Sequence, residues 1–496
     1  MKYKIIGLTA VALVLVAVMF ISQMMPEDKG TRYIEHIKAE EKMPCTSHAD
    51  DTLCTHLPIV NINTNGTEIP GKPIYDEEYN VIDYTLAADG TTTIKATLGV
   101  VDNEKTYNHL ADNTENLGEV MIRVRGHSSR RFDKPNYFIR FVNPDGTNNP
   151  KEFLGMDAHH EWALHGPFLD KSLIRNYMWY NIAGEMMEYS PNVRFFELIL
   201  NGEYRGLYLA LETVTSGKEG ARLSLSVNKK NNTFSGYALR LDWGDTEEEN
   251  KLYPFTNYTT RAKTQHELVY PGTKNITPEL KETIKNEFSL FEKTLYSYDY
   301  NNEKYGYKNY IDIDSFVDYF LINELTCNYD AGSLSTYIYK DTGGKYKMCV
   351  WDFNSALDAY QEQPIPTDEF RLNSGLWYQM LFMDIDFTDR VVKRYYELRK
   401  TVFSEEYLFG FIDDTIEYLG PAIERNYEKW GYTFNPGYDL MHPTERNPRN
   451  YDEAILQMKD FIRRRIAFMD ENVESLRQNN SESKTKKYNE VSGIKR

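Results

Sequence analysis

The hydrophobic period of this chain changes part-way along, and that change limits the folds open to it. Up to about residue 212 the apolar residues fall in short β-type runs that end at turn residues. Examples are LPIVNINTNGTEI with Asn65-Gly66, EVMIRVRG, PNYFIRF, and FFELILNGEYRGLYLALE with Asn201-Gly202. Asn-Gly between β-rich runs predicts a tight hairpin, because both residues accept the positive φ that the turn requires. A helix is predicted over 170–187, and from residue 277 helical spacing prevails, interrupted by two β-type runs, STYIY and KYKMCVWDF. Thr277-Pro278 offers an N-cap and a first-turn proline, and Leu280, Ile284, Phe288, Phe291 and Leu295 then mark one face. DIDSFVDYFLINEL, DRVVKRYYELRKTVF and the apolar positions from Ile455 to Leu476 continue the pattern. Residues 231–272, polar and aromatic with an acidic cluster at 245–249, read as loop-rich. Strands first and helices later predict an α+β class.

Composition narrows the functions. Of 496 residues, 41% are hydrophobic and 14% aromatic, which excludes disorder as a global description. A net charge of −17 argues against broad attraction to nucleic acid or to anionic lipid. There is no internal repeat, Walker-type loop or GxGxxG. The four cysteines are too few for a disulfide scaffold and do not fall in zinc-ligand spacing. Cys45 and Cys54, nine apart, either bridge in an exported protein or stay as thiols. Cys327 and Cys349 sit in apolar runs and read as core.

The first 25 residues, with Lys2 and Lys4 ahead of an apolar run, are long enough to span a bilayer. They predict a membrane anchor with the bulk of the chain outside the cell, or a signal segment cleaved to release it. Expected boundaries are then a polar stalk over 26–56, a separate small β-rich unit over 57–118, a main domain over 119–477, and a disordered tail over 478–496. NTENLG, ahead of residue 119, is the most linker-like stretch.

The chemistry concentrates in NELTCNYDAGSLSTYIYKDTGGKYKMCVWDFNSALDAY, residues 323–360. Two β-type runs joined by Lys340-Asp-Thr-Gly-Gly344 predict a hairpin with paired residue numbers summing to about 685. Its open end brings Asp330 and Asp352 into one neighbourhood. Two carboxylates there can hold a divalent cation or divide acid and base roles, and phosphoryl transfer uses both. The same residues also read as a turn residue and a strand-end charge. Upstream, Gly126-His127-Ser128-Ser129 followed by Arg130, Arg131 and Lys134 suits a turn that cradles phosphate. It suits a solvated basic hairpin equally.

Taken in order, these pieces resemble the CotH kinase family, the spore-coat-protein-H-like atypical protein kinases. RGHSSRRFDKPNYFIRF, WALHGPFLDKSLIRNYMWYNIAGEM, FFELILNGEYRGLYLALETV, DSFVDYFLINELTCNYD, VWDFN and RYYELR carry the likeness over about 119–476. The resemblance implies a protein-kinase-like fold, with a β-rich N-terminal lobe and a helical C-terminal lobe. It implies ATP with Mg²⁺ or Mn²⁺, and a Ser/Thr-containing protein as substrate. By the same resemblance Asp330 is the catalytic carboxylate and Asp352 the metal-holding one. Lys134 contacts phosphate beneath a turn made by Ser128, Ser129 and Arg130, and Glu212 ends the strand entering an adenine-binding hinge. Arg175 and Asn176 orient the phosphate side or only pack. Two departures weaken the metal site: Asn354 where many members carry Asp, and Ser335 where kinases carry a ligating Asn. They support an alternative, a non-catalytic surface module binding a partner protein or glycan.

Overall fold

Residues of alternating burial in the first half close into a barrel. Its strands are β1 (Ile59–Asn63), β2 (Ile94–Val101), β3 (Glu115–Arg125), β4 (Asn136–Val142), β5 (Glu161–His165), β6 (Val193–Leu200) and β7 (Glu203–Glu212). They join in the order β5-β7-β6-β1-β2-β3-β4 and then back to β5. Along β3, Val120, Ile122 and Val124 are buried while Met121, Arg123 and Arg125 are only partly covered, as a period of two requires. Val60, Ile62, Val120, Ile122, Ile139 and Trp162 belong to the apolar core that this alternation forms.

The computed structural model describes residues 32–45, 53–217, 222–226, 235–244, 248–256 and 264–481. The expectation of a separate unit over 57–118 is corrected by the barrel. β1 pairs in parallel with β6 and antiparallel with β2, so the early strands are staves of the same closed sheet as the later ones. The linker-like NTENLG runs directly into β3. Asn65 and Gly66 do adopt positive φ, 53° and 77°, but β1 just before them takes its partners from distant strands, and no hairpin forms at this turn. Asn201-Gly202 does join β6 to β7 as a two-residue turn, with Leu200 opposite Glu203.

The start of the expected stalk is part of the body. Arg32 donates from Nη2 to the Tyr180 carbonyl at 2.7 Å and from Nη1 to that of Ser190 at 2.7 Å, and Glu35 pairs with Arg194 at 3.1 Å. At the other end, Asn480 donates to the Phe382 carbonyl at 2.8 Å, and residues 482–496 of the expected tail lie outside the described residues.

The second layer is a five-stranded sheet, β9-β10-β8-β11-β12, built from β8 (Tyr237–Asp242), β9 (Lys251–Leu252), β10 (Gln265–Tyr270), β11 (Thr336–Lys340) and β12 (Lys347–Cys349). Part of the stretch expected to be loop therefore supplies the sheet's central strand. Tyr237, Leu239 and Leu241, buried at every second position, explain why.

Around this sheet and the barrel lie α1 (Arg175–Met186), α2 (Pro278–Leu295), α3 (Ile313–Thr326), α4 (Ile385–Leu398), α5 (Glu405–Leu419), α6 (Pro421–Trp430) and α7 (Tyr451–Asn472). The face expected of α2 is the buried one, and Thr277 caps it by accepting from the Leu280 amide at 3.2 Å.

The expected transmembrane helix, and with it the membrane-anchored, outward-facing placement, needs correction. Among the described residues no helix is long and apolar enough to cross a membrane. The longest, α7, carries Arg463, Arg464 and Arg465 in its middle turns, charges that hydrocarbon would not tolerate. Residues 1–25, on which the anchor was expected, lie outside the described residues.

Candidate active site

The hairpin of β11 and β12 forms as expected, but one residue out of the expected register: Tyr337 opposes Cys349. Tyr346 is drawn away to bond with Tyr310 and Asp312, at 2.8 and 2.9 Å, which lengthens the returning arm. Asp330 lies in the turn after α3, where its carbonyl accepts from the Leu334 amide at 2.8 Å. Asp352 comes just after β12 in a left-handed conformation, φ 56°, which L residues seldom adopt without a local reason.

Asp330 feels the charge of Asp352. Burial, then the charge of Asp352, then that of Asp242 push Asp330 up to about 7. Burial also raises Asp352, offset in part by Arg125. Among the described residues no lysine or arginine forms an ion pair with either carboxylate. Asn328 stands beside them: its Nδ2 donates to the Asp352 carbonyl at 3.2 Å, while its buried Oδ1 has no donor. Tyr360, its hydroxyl raised by burial and by Asp352, Asp330 and Asp170, closes the group. A set of oxygens short of positive charge suits a hard divalent cation.

α1 supports the Asp352 loop. Tyr180 Oη accepts from the Asp352 amide at 2.9 Å, Asn176 Oδ1 from the Phe353 amide at 2.7 Å, and Arg175 Nε donates to the Ala356 carbonyl at 2.9 Å. Arg175 is itself fixed by Asp170 at 2.5 Å. Both Arg175 and Asn176 therefore position the loop that carries Asp352.

Of the remaining residues expected in the site, Lys134, Ser129 and Asn354 line one narrow crevice of about 10 Å³ with Asp170 and His165. Burial drives the Lys134 ammonium far below its usual range, and its Nζ donates to Asn426 at 2.7 Å. The glycine ahead of the turn is required: Gly126 has φ 112°, and a Cβ there would collide with Ser129 Oγ. Ser128 is exposed at the start of the turn, and His127 stacks on Trp243 at 5.2 Å, next to Asp242.

Four expected residues do not line this crevice: Ser128, Arg130, Glu212 and Ser335. Arg130 stacks over Tyr84 at 4.0 Å and lines a different groove. The Glu212 carboxylate accepts from the Asn192 amide at 2.9 Å. Ser335, at φ 48° ahead of β11, lines neither the crevice nor the roughly 480 Å³ groove flanking Asp330.

Sequence reasoning missed Asn328, Asp242, Arg125 and Tyr360. Asn328 sits two residues before Asp330 and was within reach of a local reading. Asp242 and Arg125 come from strands distant in sequence. A second donor set was missed as well: Cys45, Cys54 and His109 hold ligand atoms within 4.8 Å of one another, close enough to coordinate a metal ion.

The family model described as CotH kinase protein matches residues 122–469, most of the chain. The chain belongs to the CotH kinase family. Inner spore coat protein H of Bacillus subtilis (strain 168) is 24% identical over 368 residues, covering 72% of this chain and 88% of that protein. The match to the CotH model spans the barrel from within β3 and runs through most of α7, so it contains Lys134, Asp330 and Asp352 but not Cys45, Cys54 or His109.

Proposed function

We propose that this CotH-family chain transfers phosphate from ATP to Ser/Thr hydroxyls of a protein substrate, with Mg²⁺ or Mn²⁺. The observation that carries the reading is that the charge of Asp352 raises Asp330, with an undonated Asn328 oxygen nearby and no ion-pair partner for either carboxylate among the described residues. Bound there, a divalent cation supplies the charge against which phosphates are held. Asp352, on the loop fixed by Asn176 and Tyr180, is the ligand for it, and Asn328 is a neutral oxygen beside it. Asp330 orients the acceptor hydroxyl and takes its proton; a carboxyl raised to about 7 is matched to that work near neutral pH. Lys134 and Ser129 face the phosphate side, with Asn354 between them and Asp352. The test is transfer of the γ-phosphate by the purified full chain to a Ser/Thr-rich protein. Asp330→Asn and Asp352→Ala should each lower it by about 10²-fold or more, and transfer undiminished in both variants defeats the assignment of roles.

A second reading, a non-catalytic member binding a partner protein or glycan, is favoured by the crevice. About 10 Å³ holds roughly one water, and Lys134 is already bonded to Asn426. Family membership and a relative named as a coat protein support this reading more directly than they support transfer, because a shared fold carries no reaction with it. Nucleotide separates the two: ATP with Mg²⁺ raises the unfolding temperature of a kinase and leaves that of the module unchanged.

A further inference from the structure

Cys45, Cys54 and His109 come from three segments that the fold pins together. Cys54 and His109 are direct partners across a short antiparallel pair, Cys54–Thr55 with Asn108–His109. The chain leading to Cys45 is held two residues earlier, where Met43 donates to the Lys105 carbonyl at 2.8 Å and accepts from the Tyr107 amide at 3.2 Å. The cysteine thiols lie within hydrogen-bonding reach of each other, with no disulfide between them. All three side chains are half-buried, so an ion could enter and yet be largely enclosed.

The histidine is already oriented. Asp112 Oδ2 accepts from the His109 backbone amide at 2.9 Å and lies 3.3 Å from Nδ1, and it is itself held by Asn103 Nδ2 at 2.7 Å. A proton on Nδ1 shared with Asp112 leaves the Nε2 lone pair as the donor to a metal. Metal-binding imidazoles are commonly fixed by a carboxylate in this way. Two sulfurs and one imidazole nitrogen form a soft set, unlike the oxygens around Asp352, and are poor ligands for Mg²⁺.

We propose that Cys45, Cys54 and His109, oriented by Asp112, form a zinc site that fastens the segment before the barrel to the loop between β2 and β3. Zinc takes both thiolates and the imidazole, the two thiol protons pass to solvent, and water fills the fourth tetrahedral position. The site is independent of the phosphotransfer reading. It was not legible from spacing, because the histidine lies 55 residues beyond Cys54 in the chain and arrives only through strand pairing.

The test is the zinc content of the full chain, purified under reducing conditions, loaded with zinc and then dialysed. Stoichiometric zinc is expected in the wild type, with loss in Cys54→Ser and His109→Gln. Asp112→Asn should weaken zinc affinity by roughly 10–100-fold while leaving the thiol count unchanged. With cobalt in place of zinc, a thiolate-to-metal charge-transfer absorption should appear, and it should vanish in Cys45→Ser. Chelation should lower the unfolding temperature of the wild type, reversibly with zinc and not with magnesium, so a readout survives if a variant fails to fold. A wild-type chain that retains no zinc overturns the proposal. So does a Cys45–Cys54 disulfide in the reduced, zinc-loaded protein, or zinc retention unaffected by His109→Gln.

Discussion

Two acids six residues apart, the fully buried Glu324 and the half-buried Asp330, meet opposite treatment. Glu324, near the end of α3, pairs with the fully buried Arg465 of α7 at 2.5 Å and also accepts from the Arg371 and Leu372 amides. Arg465 spends its remaining donors on the carbonyls of Glu324, Thr367 and Glu369. Every charge there has an answer within the protein. Asp330 instead faces a second carboxylate, with no ion pair to either among the described residues. Both sites are costly to bury, but only the first is compensated by the chain itself. The proposed cation site rests on this contrast.

Removing the groups at the open site should have the largest effect on chemistry. Asp330→Asn is expected to lower the phosphotransfer rate by about 10²–10⁴-fold with the fold intact, as judged by circular dichroism beside the kinase assay. The closed site should show the largest effect on stability. Arg465→Ala leaves Glu324 buried and unpaired, and should cost about 3–5 kcal/mol in urea unfolding, whereas replacing both partners by apolar residues should cost much less. If the single variant cost under about 1 kcal/mol, the contrast between the two acids would fail.

Asn176→Ala sits between these extremes. It strands the buried Phe353 amide, for about 1–3 kcal/mol, and should lower kcat more than it raises KM for ATP, because it loosens the Asp352 loop. A further effect concerns pH. Asp330 is raised from 3.8 to about 7 in the folded chain, so folded protein binds more protons than unfolded across that window. Stability of the metal-free chain should therefore fall as pH rises from 3.8 to about 7 and then level off. Asp330→Asn should remove that part of the slope and make the protein more stable at pH 8. Comparing urea midpoints at pH 5 and pH 8 reads it.

How far the sequence reaches depends on the distance over which each feature is encoded. The cap at Thr277, the face of α2, the Asn201-Gly202 hairpin and the approach of Asp352 to Asp330 are local, set by a few neighbouring residues. Closure of the barrel is not local: β1 lies parallel to β6, more than a hundred residues away, and no turn signal announces it. The separate β-rich unit expected over 57–118 fails for this reason. Asn65-Gly66 makes the turn its chemistry allows, while tertiary pairing sends the strand elsewhere. The same holds in the site. Asp330 and Asp352 are legible from one hairpin, but Asp242, Arg125 and the α1 groups that hold the loop reach it through long-range packing. So does His109 in reaching its cysteines.

Manganese binding reads whether Asp330 and Asp352 hold a divalent cation. Electron paramagnetic resonance of Mn²⁺ added to the full chain with ATP should show stoichiometric immobilised metal. That signal should be lost in Asp352→Ala and preserved in Cys54→Ser. Undiminished Mn²⁺ binding in Asp352→Ala would contradict the account.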